Sequence, residues 1–308
     1  MHTRYRGLIA APFTPFNADL SVNLDVIPAY ARLLRDNGVS AAFICGTTGE
    51  GMSLTQAERV AVAEEWIRHA DDKLRVIVHV GHNCLADAQE LSRHAAAIGA
   101  SAIAACAPSF FKPRDHGELV DWCARLAGAA PSVPFYYYNI PSMTGVGLNV
   151  APFLAKAQTA IPSLEGIKYT HEDLTDYQAC VKFGDGRYDI LFGRDELLLE
   201  GWELQALGAV GSTYNYAAPL YAKLLAHLEA GRLADARALQ DQAIRMIAIC
   251  NGVGVSHLAA SKALMALLGV DCGPTRPPVR TINTGQFEEL RRQLTAMDFF
   301  SIACRAAA

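Results

Sequence analysis

Lys168 ends a short apolar run, Leu164-Glu165-Gly166-Ile167-Lys168-Tyr169. An amine near its ordinary pKa of ~10.4 is protonated at neutral pH and cannot attack a carbonyl. Desolvation at a strand end would lower that pKa; a drop of about 3 units is worth ~4 kcal/mol between the two protonation states. Lys168 is thus a candidate Schiff-base nucleophile, although the same position suits a lysine that snorkels to solvent. Tyr138 closes the run Phe135-Tyr136-Tyr137-Tyr138. In a strand, Tyr136 and Tyr138 share one face and Tyr137 the other. A tyrosine at a strand end could carry a proton beside an amine, or simply fill an aromatic strand.

Other candidates are short and polar. Gly46-Thr47-Thr48-Gly49-Glu50 offers hydroxyls and backbone N–H groups in a tight turn. Such a nest suits a carboxylate or phosphate; the turn also reads as an ordinary strand-to-helix connection. Asp195 and Glu196 are an acid pair that could bind hydroxyls or favour a helix N-terminus. Ser212 and Thr213 could cap the next helix. Thr170 and Gly193 lie just beyond strand ends. His79 and His82 lack a carboxylate at ligand spacing, and no metal site is expected.

These residues need elements that bring them together. Short apolar runs recur at 7–11, 40–45, 75–81, 101–107, 133–139, 164–168, 189–192 and 209–212, with helical patterns between. Thr55-Gln56-Ala57-Glu58 matches a capping box, and Gly38 and Gly99 are placed to stop helices. The span from 7 to 212 covers 206 residues, roughly 26 per strand–helix unit. That beat predicts an α/β fold, a (β/α)8 TIM barrel over 1–230. In such a barrel every candidate above sits at the C-terminal mouth. A doubly wound sheet is the alternative, but Pro12 and Pro15 follow the first strand, and no GxGxxG occurs. Helical patterns at 233–250, 255–268 and 284–297 predict a layer of about three extra C-terminal helices over 231–308, within the same structural domain.

Composition narrows the function classes. The chain has 308 residues, 51% hydrophobic and 19% charged, with net charge −4. This suits a large core and gives no reason to expect nucleic-acid binding. The longest apolar stretches fall short of a membrane span. The N-terminal apolar run is too short for a signal-peptide core, so the expected location is cytoplasmic. The 8 cysteines are scattered, without metal-ligand spacing, and read as free thiols.

Taken in order, four motifs resemble the pyruvate-dependent class I aldolases of the dihydrodipicolinate synthase and N-acetylneuraminate lyase superfamily. They are Gly46-Thr47-Thr48-Gly49-Glu50, Tyr138-Asn139-Ile140-Pro141, Gly166-Ile167-Lys168 and Gly208-Ala209-Val210-Gly211-Ser212-Thr213-Tyr214-Asn215. The resemblance spans nearly the whole chain. It is greatest to the animal-type N-acetylneuraminate lyase branch, through 46–54, Ala63-Glu64-Glu65-Trp66, 134–141, 191–197 and 208–216.

The resemblance implies that Lys168 forms an imine with the C2 ketone of a sugar acid. It implies that Tyr138 takes the C4 hydroxyl proton, and that Thr47 and Thr48 hold the pyruvate carboxylate. Thr170, Gly193, Asp195, Glu196 and Ser212 would line the polyol end. The partners implied are small molecules, pyruvate and a sugar or aldehyde, with no metal or organic cofactor beyond the covalent imine on Lys168. A homotetramer is also implied.

Two departures stand out. Met143 occupies the place where dihydrodipicolinate synthases carry an arginine, which weakens that reading. Phe110 stands where many members supply a relay tyrosine to a neighbouring subunit; the relay would then run through Thr47 and water or the substrate hydroxyl. Another pyruvate-dependent aldolase, synthase or dehydratase acting on a sugar-acid keto compound remains a rival. So does a non-catalytic keto-acid sensor, which would need neither Lys168 nor Tyr138.

Overall fold

A computed structural model describes residues 4–305. Residues 1–3, which open the N-terminal stretch read above, lie outside the described residues, as do 306–308. Strands and helices alternate through about the first three-quarters of the chain. They run β1 (Gly7–Ala10), α1 (Ile27–Asp36), β2 (Ala41–Ile44), α2 (Gln56–Arg68), β3 (Arg75–His79), α3 (Leu85–Ala97), β4 (Ala102–Cys106) and α4 (His116–Ala127). The second half continues β5 (Phe135–Asn139), α5 (Pro141–Thr144), α6 (Val150–Ala160), β6 (Leu164–Tyr169), α7 (Leu174–Lys182), β7 (Asp189–Phe192), α8 (Leu198–Glu203), β8 (Gly208–Gly211) and α9 (Tyr214–Glu229). The strands are all parallel and close into a barrel in chain order, β1 pairing with both β2 and β8. This is the (β/α)8 barrel that the strand beat predicts.

Local chemistry explains the boundaries. Thr55 and Glu58 form the expected capping box at the start of α2. Gly38 and Gly99 follow α1 and α3 with φ of +77° and +87°, conformations that favour glycine. The strands are buried on both faces because one side meets the helices and the other the barrel interior. Tyr136 and Tyr138 point inward with Ile9, Phe43, Ile77 and Leu191, whereas Tyr137 joins the outer layer under the helices. Gly166 is a packing requirement: a Cβ there would lie 2.0 Å from the Asp189 carbonyl oxygen and 2.7 Å from the Tyr136 ring.

The three C-terminal helices follow as α10 (Leu233–Gly252), α11 (His257–Leu264) and α12 (Thr284–Ala296). Their buried residues Ala236, Met246, Leu264 and Leu290 belong to the same apolar cluster as the barrel helices. α9 is kinked: Ala217 leaves helical angles with φ −131°, two residues before Pro219. One expectation fails here. Thr213 does not cap α9 with its side chain. Its hydroxyl instead turns to Asp195 and Tyr221, at 2.7 and 2.8 Å. Among the described residues no single helix is long and apolar enough to cross a membrane.

Candidate active site

The register of β5 against β6 sets Tyr138 directly opposite Lys168. Both side chains project into the barrel near its C-terminal end. Lys168 is 4% exposed. Its Nζ lies 3.8 Å from the Tyr138 ring centroid and 4.0 Å from that of Phe43. Nζ makes no hydrogen bond to any described residue. Burial without a partner disfavours the ammonium. The pKa falls from the usual 10.5 to about 7, against the opposing pull of Asp195 and Cys106. The solvent-reaching alternative for Lys168 is therefore not what the structure shows.

Tyr138 is held edge-on by Phe43 and by His79, with centroids 5.4 and 5.9 Å away. Its hydroxyl is 3.3 Å from Thr47 Oγ1. Burial raises its pKa above the ordinary tyrosine value, and the hydrogen bond with Thr47 only partly offsets this. Tyr138 therefore stands as a neutral phenol at neutral pH. His79 beneath it accepts from the Cys106 N–H at 3.3 Å. Its pKa is driven well down, by burial first and then by Arg59 and Lys168, so it is a neutral aromatic support. No metal site forms around it: among the described residues no group of three His, Cys, Asp or Glu could hold an ion.

The 46–50 turn is tightly wound. Cys45 and Glu50 bracket it with φ of 56° and 52°, a left-handed conformation costly for residues other than glycine. The Gly51 N–H closes it onto the Gly46 carbonyl at 3.0 Å. A Cβ on Gly51 would lie 1.8 Å from the Cys45 carbonyl oxygen. The backbone N–H groups of Thr47 and Thr48 donate to no described residue, which leaves them available to an anion.

Across the mouth, the two acids differ. Asp195 is buried and its Oδ2 accepts from the Thr213 N–H and hydroxyl, at 2.9 and 2.7 Å. Burial, then Glu196, push its pKa up to about 6, while Thr213 and Lys168 oppose them. Its other oxygen lies 2.0 Å from where a Cβ on Gly211 would sit, so only glycine fits there. Glu196 is half-buried and faces Arg194, whose Nε is 3.6 Å away and whose Nη1 pairs with Glu172 at 2.8 Å. Gly193 also fills a steric requirement, since its Cβ would lie 2.1 Å from Thr170 Oγ1.

Thr47, Thr48, Tyr138, Lys168, Thr170, Gly193, Asp195, Glu196 and Ser212 all line one cavity of about 210 Å³. The structure thus brings together every site residue that the sequence suggested. A larger hollow of about 420 Å³, between Arg4, Gly186 and Gln205, lies at the opposite end and is lined by no lysine. The structure also adds residues that no motif signalled. His257 and Ile247 reach the cavity from α11 and α10. Gln240 on α10 donates to the Asp195 and Glu196 carbonyls, both at 3.0 Å, and accepts from the Leu199 N–H at 3.2 Å. The appended helices therefore fix the segment that carries the acid pair. A buried glutamine in a helical pattern gives no local cue to such a role. Met143 and Phe110 are 63% and 77% exposed, outside this cavity.

Comparison with known proteins agrees with this geometry. The chain matches the Dihydrodipicolinate synthetase family over residues 4–297. It is 41% identical to the N-acetylneuraminate lyase of Mus musculus over 304 residues, covering 97% of this chain and 94% of that protein. Among solved structures it is similar to the Proteus mirabilis N-acetylneuraminate lyase, with TM-score 0.93, 40% identity, and 96% and 100% coverage of the two chains. It is also similar to a catalytic lysine mutant of the Ruminococcus gnavus sialic acid aldolase, with TM-score 0.91, 26% identity, and 96% and 97% coverage. With a family match over nearly its full length and an eight-stranded barrel that gathers the four motifs at one mouth, this chain belongs to the dihydrodipicolinate synthetase family.

Proposed function

We propose that the chain is a Schiff-base lyase that cleaves N-acetylneuraminate into N-acetylmannosamine and pyruvate. One observation carries the reading: a buried, unpartnered amine faces a neutral tyrosine, with an anion-ready turn on one side and an acid pair on the other. The names of its relatives, sialic acid aldolases among them, support the substrate.

The chemistry follows from these positions. The neutral Lys168 amine adds to the C2 ketone of the open-chain sugar acid. The resulting carbinolamine takes up one proton from water at the mouth and loses its hydroxyl as water to give a protonated imine. Thr47 and Thr48 hold the carboxylate and so fix C2 against Nζ. As the C3–C4 bond breaks, its electron pair flows to the imine nitrogen and leaves an enamine. The C4 hydroxyl becomes an aldehyde and gives its proton to Tyr138. Because Tyr138 rests as a phenol, it passes its own proton on as it receives this one, through Thr47 and water or the substrate itself. The enamine takes a proton at C3 to regenerate a protonated imine, and its hydrolysis releases pyruvate, the free amine and the proton taken up at the start. The imine is the electron sink, so the mechanism calls on no metal or organic cofactor. Thr170, Gly193, Asp195, Glu196 and Ser212 accept and orient the polyol. A short apolar aldehyde would leave these groups unpaired.

A homotetramer is part of this reading, supported by exposed Met52, Phe110, Phe111 and Met143 beside the mouth. Light scattering tests it. A cytosolic setting is also part of it, and the free cysteines are consistent with that. The central test is incubation with N-acetylneuraminate and an assay for pyruvate. Borohydride with pyruvate should trap an adduct on Lys168. Turnover of a different keto acid alone would remove the substrate and keep the aldolase; an untrapped wild type would end the Schiff-base reading.

A further inference from the structure

We propose that Glu50 is a positioning residue for the carboxylate-binding turn, and that the C-terminal layer sets keto-acid affinity by holding it. The proposal rests on the reading that Thr47 and Thr48 bind the substrate carboxylate. Glu50 touches neither the cavity that holds Lys168 nor any reacting atom. Its carboxylate runs the other way, into a junction of three segments distant in the chain. Oε1 accepts from Lys262 Nζ at 2.8 Å, and the two side chains are 2% and 0% exposed. Oε2 accepts from the Arg276 backbone N–H at 2.8 Å.

Both partners are themselves fixed. Lys262 sits on α11 with its ammonium 4.0 Å from the Phe16 ring centroid, and the Arg276 guanidinium lies 4.4 Å from the same centroid. Arg276 also donates to the Ser53 and Leu20 carbonyls, each at 2.8 Å, and pairs with Glu58 of α2.

The turn needs such an anchor. Left-handed angles at Cys45 and Glu50 favour relaxation, and only a few contacts resist it. These are the Glu50 N–H to the Thr47 carbonyl and the Gly51 N–H to the Gly46 carbonyl, each at 3.0 Å, the Ser53 N–H to the Glu50 carbonyl at 2.7 Å, and the Thr14 hydroxyl to the Gly49 carbonyl at 2.6 Å. The Glu50 side chain supplies the remaining restraint from outside. A buried carboxylate stripped of its ammonium would move toward water or another donor, and the turn would move with it. The Thr47 and Thr48 N–H groups would then miss the carboxylate, while the acid pair across the mouth, held by Gln240 and Thr213, would stay in place.

The test measures steady-state condensation of pyruvate with N-acetylmannosamine for wild type, Lys262→Met, Glu50→Gln and the double variant. The expected result is a rise in the pyruvate KM on the order of 10- to 100-fold in Lys262→Met. Glu50→Gln should give a smaller rise, because the amide oxygen still accepts from the Arg276 N–H. The sugar KM should not change, and borohydride should still trap Lys168 fully at saturating pyruvate. The double variant should be no worse than Lys262→Met, since it removes the charge left unpaired. A loss confined to kcat, or equal rises in both KM values, would mark Glu50 as a strut only and overturn the proposal. If Lys262→Met does not fold, Glu50→Gln alone decides by the same split. Failure of wild type to trap pyruvate would instead remove the functional reading beneath it.

Discussion

The two ends of this barrel carry similar residues in opposite states. At the N-terminal floor, Tyr136 donates to Asp189 at 3.0 Å, and the Tyr5 N–H reaches the same oxygen at 3.0 Å. The Tyr5 hydroxyl pairs with Ser101 at 2.7 Å, and the Arg75 guanidinium covers its ring at 3.8 Å. At the mouth, Tyr138 comes from the same face of the same strand, two residues on, and Asp195 is again a buried carboxylate. There, however, the cation has no hydrogen-bond partner, and its nearest neighbours are aromatic faces. The floor gives Asp189 and Tyr5 hydrogen-bond partners. The mouth leaves an amine unsatisfied, at a cost in stability, and gains a nucleophile.

Lys168→Met should have the largest effect. Without the amine, lyase activity should fall by at least ~10⁴-fold, and borohydride should trap nothing. Stability should move the other way. The folded chain releases the Lys168 proton near pH 7 and the unfolded chain near 10.5. Between those values the unfolded state holds more protons, so this group makes stability rise with pH. Below pH 7 the full cost of burying the charge applies. Lys168→Met should therefore stabilise by roughly 4–5 kcal/mol at acidic pH, fading as pH approaches 10. Denaturant melts across that range would show it; a destabilised variant would mean the amine is not buried at a cost.

The paired tyrosines come next. Tyr138→Phe should lower kcat by about 10²- to 10⁴-fold with imine formation and stability kept. Tyr136→Phe should leave kcat unchanged and cost ~1–3 kcal/mol, because Asp189 loses a donor in a buried site. Reversed outcomes would dissolve the distinction between floor and mouth.

A smaller effect is a rising limb in kcat/KM with an apparent pKa of about 7, where the Lys168 amine becomes free. Asp195 titrates nearby, so the limb belongs to the pair, and a profile flat from pH 5 to 9 would exclude a titrating nucleophile. The smallest is Thr213→Val. Asp195 would lose one of two donors from Thr213, and the sugar KM should rise about fivefold, for ~1 kcal/mol. Pyruvate affinity should stay as it is.

Period and spacing reveal the alternating strands and helices, since a strand–helix unit leaves its signature within some 26 contiguous residues. Lys168, Tyr138 and the 46–50 turn stand out in the sequence because barrel geometry places strand ends at one mouth. The sequence does not separate a solvent-facing Lys168 from one against aromatic rings, because its pKa depends on neighbours from β2 and β5 brought in by closure. Thr213 read as a helix cap, yet its hydroxyl found Asp195, a partner 18 residues away that only the β7–β8 approach supplies. Gln240, His257 and Lys262 carried no motif at all. Their roles arise where α10 and α11 fold back over the barrel, bringing Lys262 212 residues along the chain to Glu50. Local propensity and periodicity act between near neighbours in sequence. Burial, and the shifted proton affinities it causes, act between neighbours in space, and those neighbours exist only once the barrel has closed.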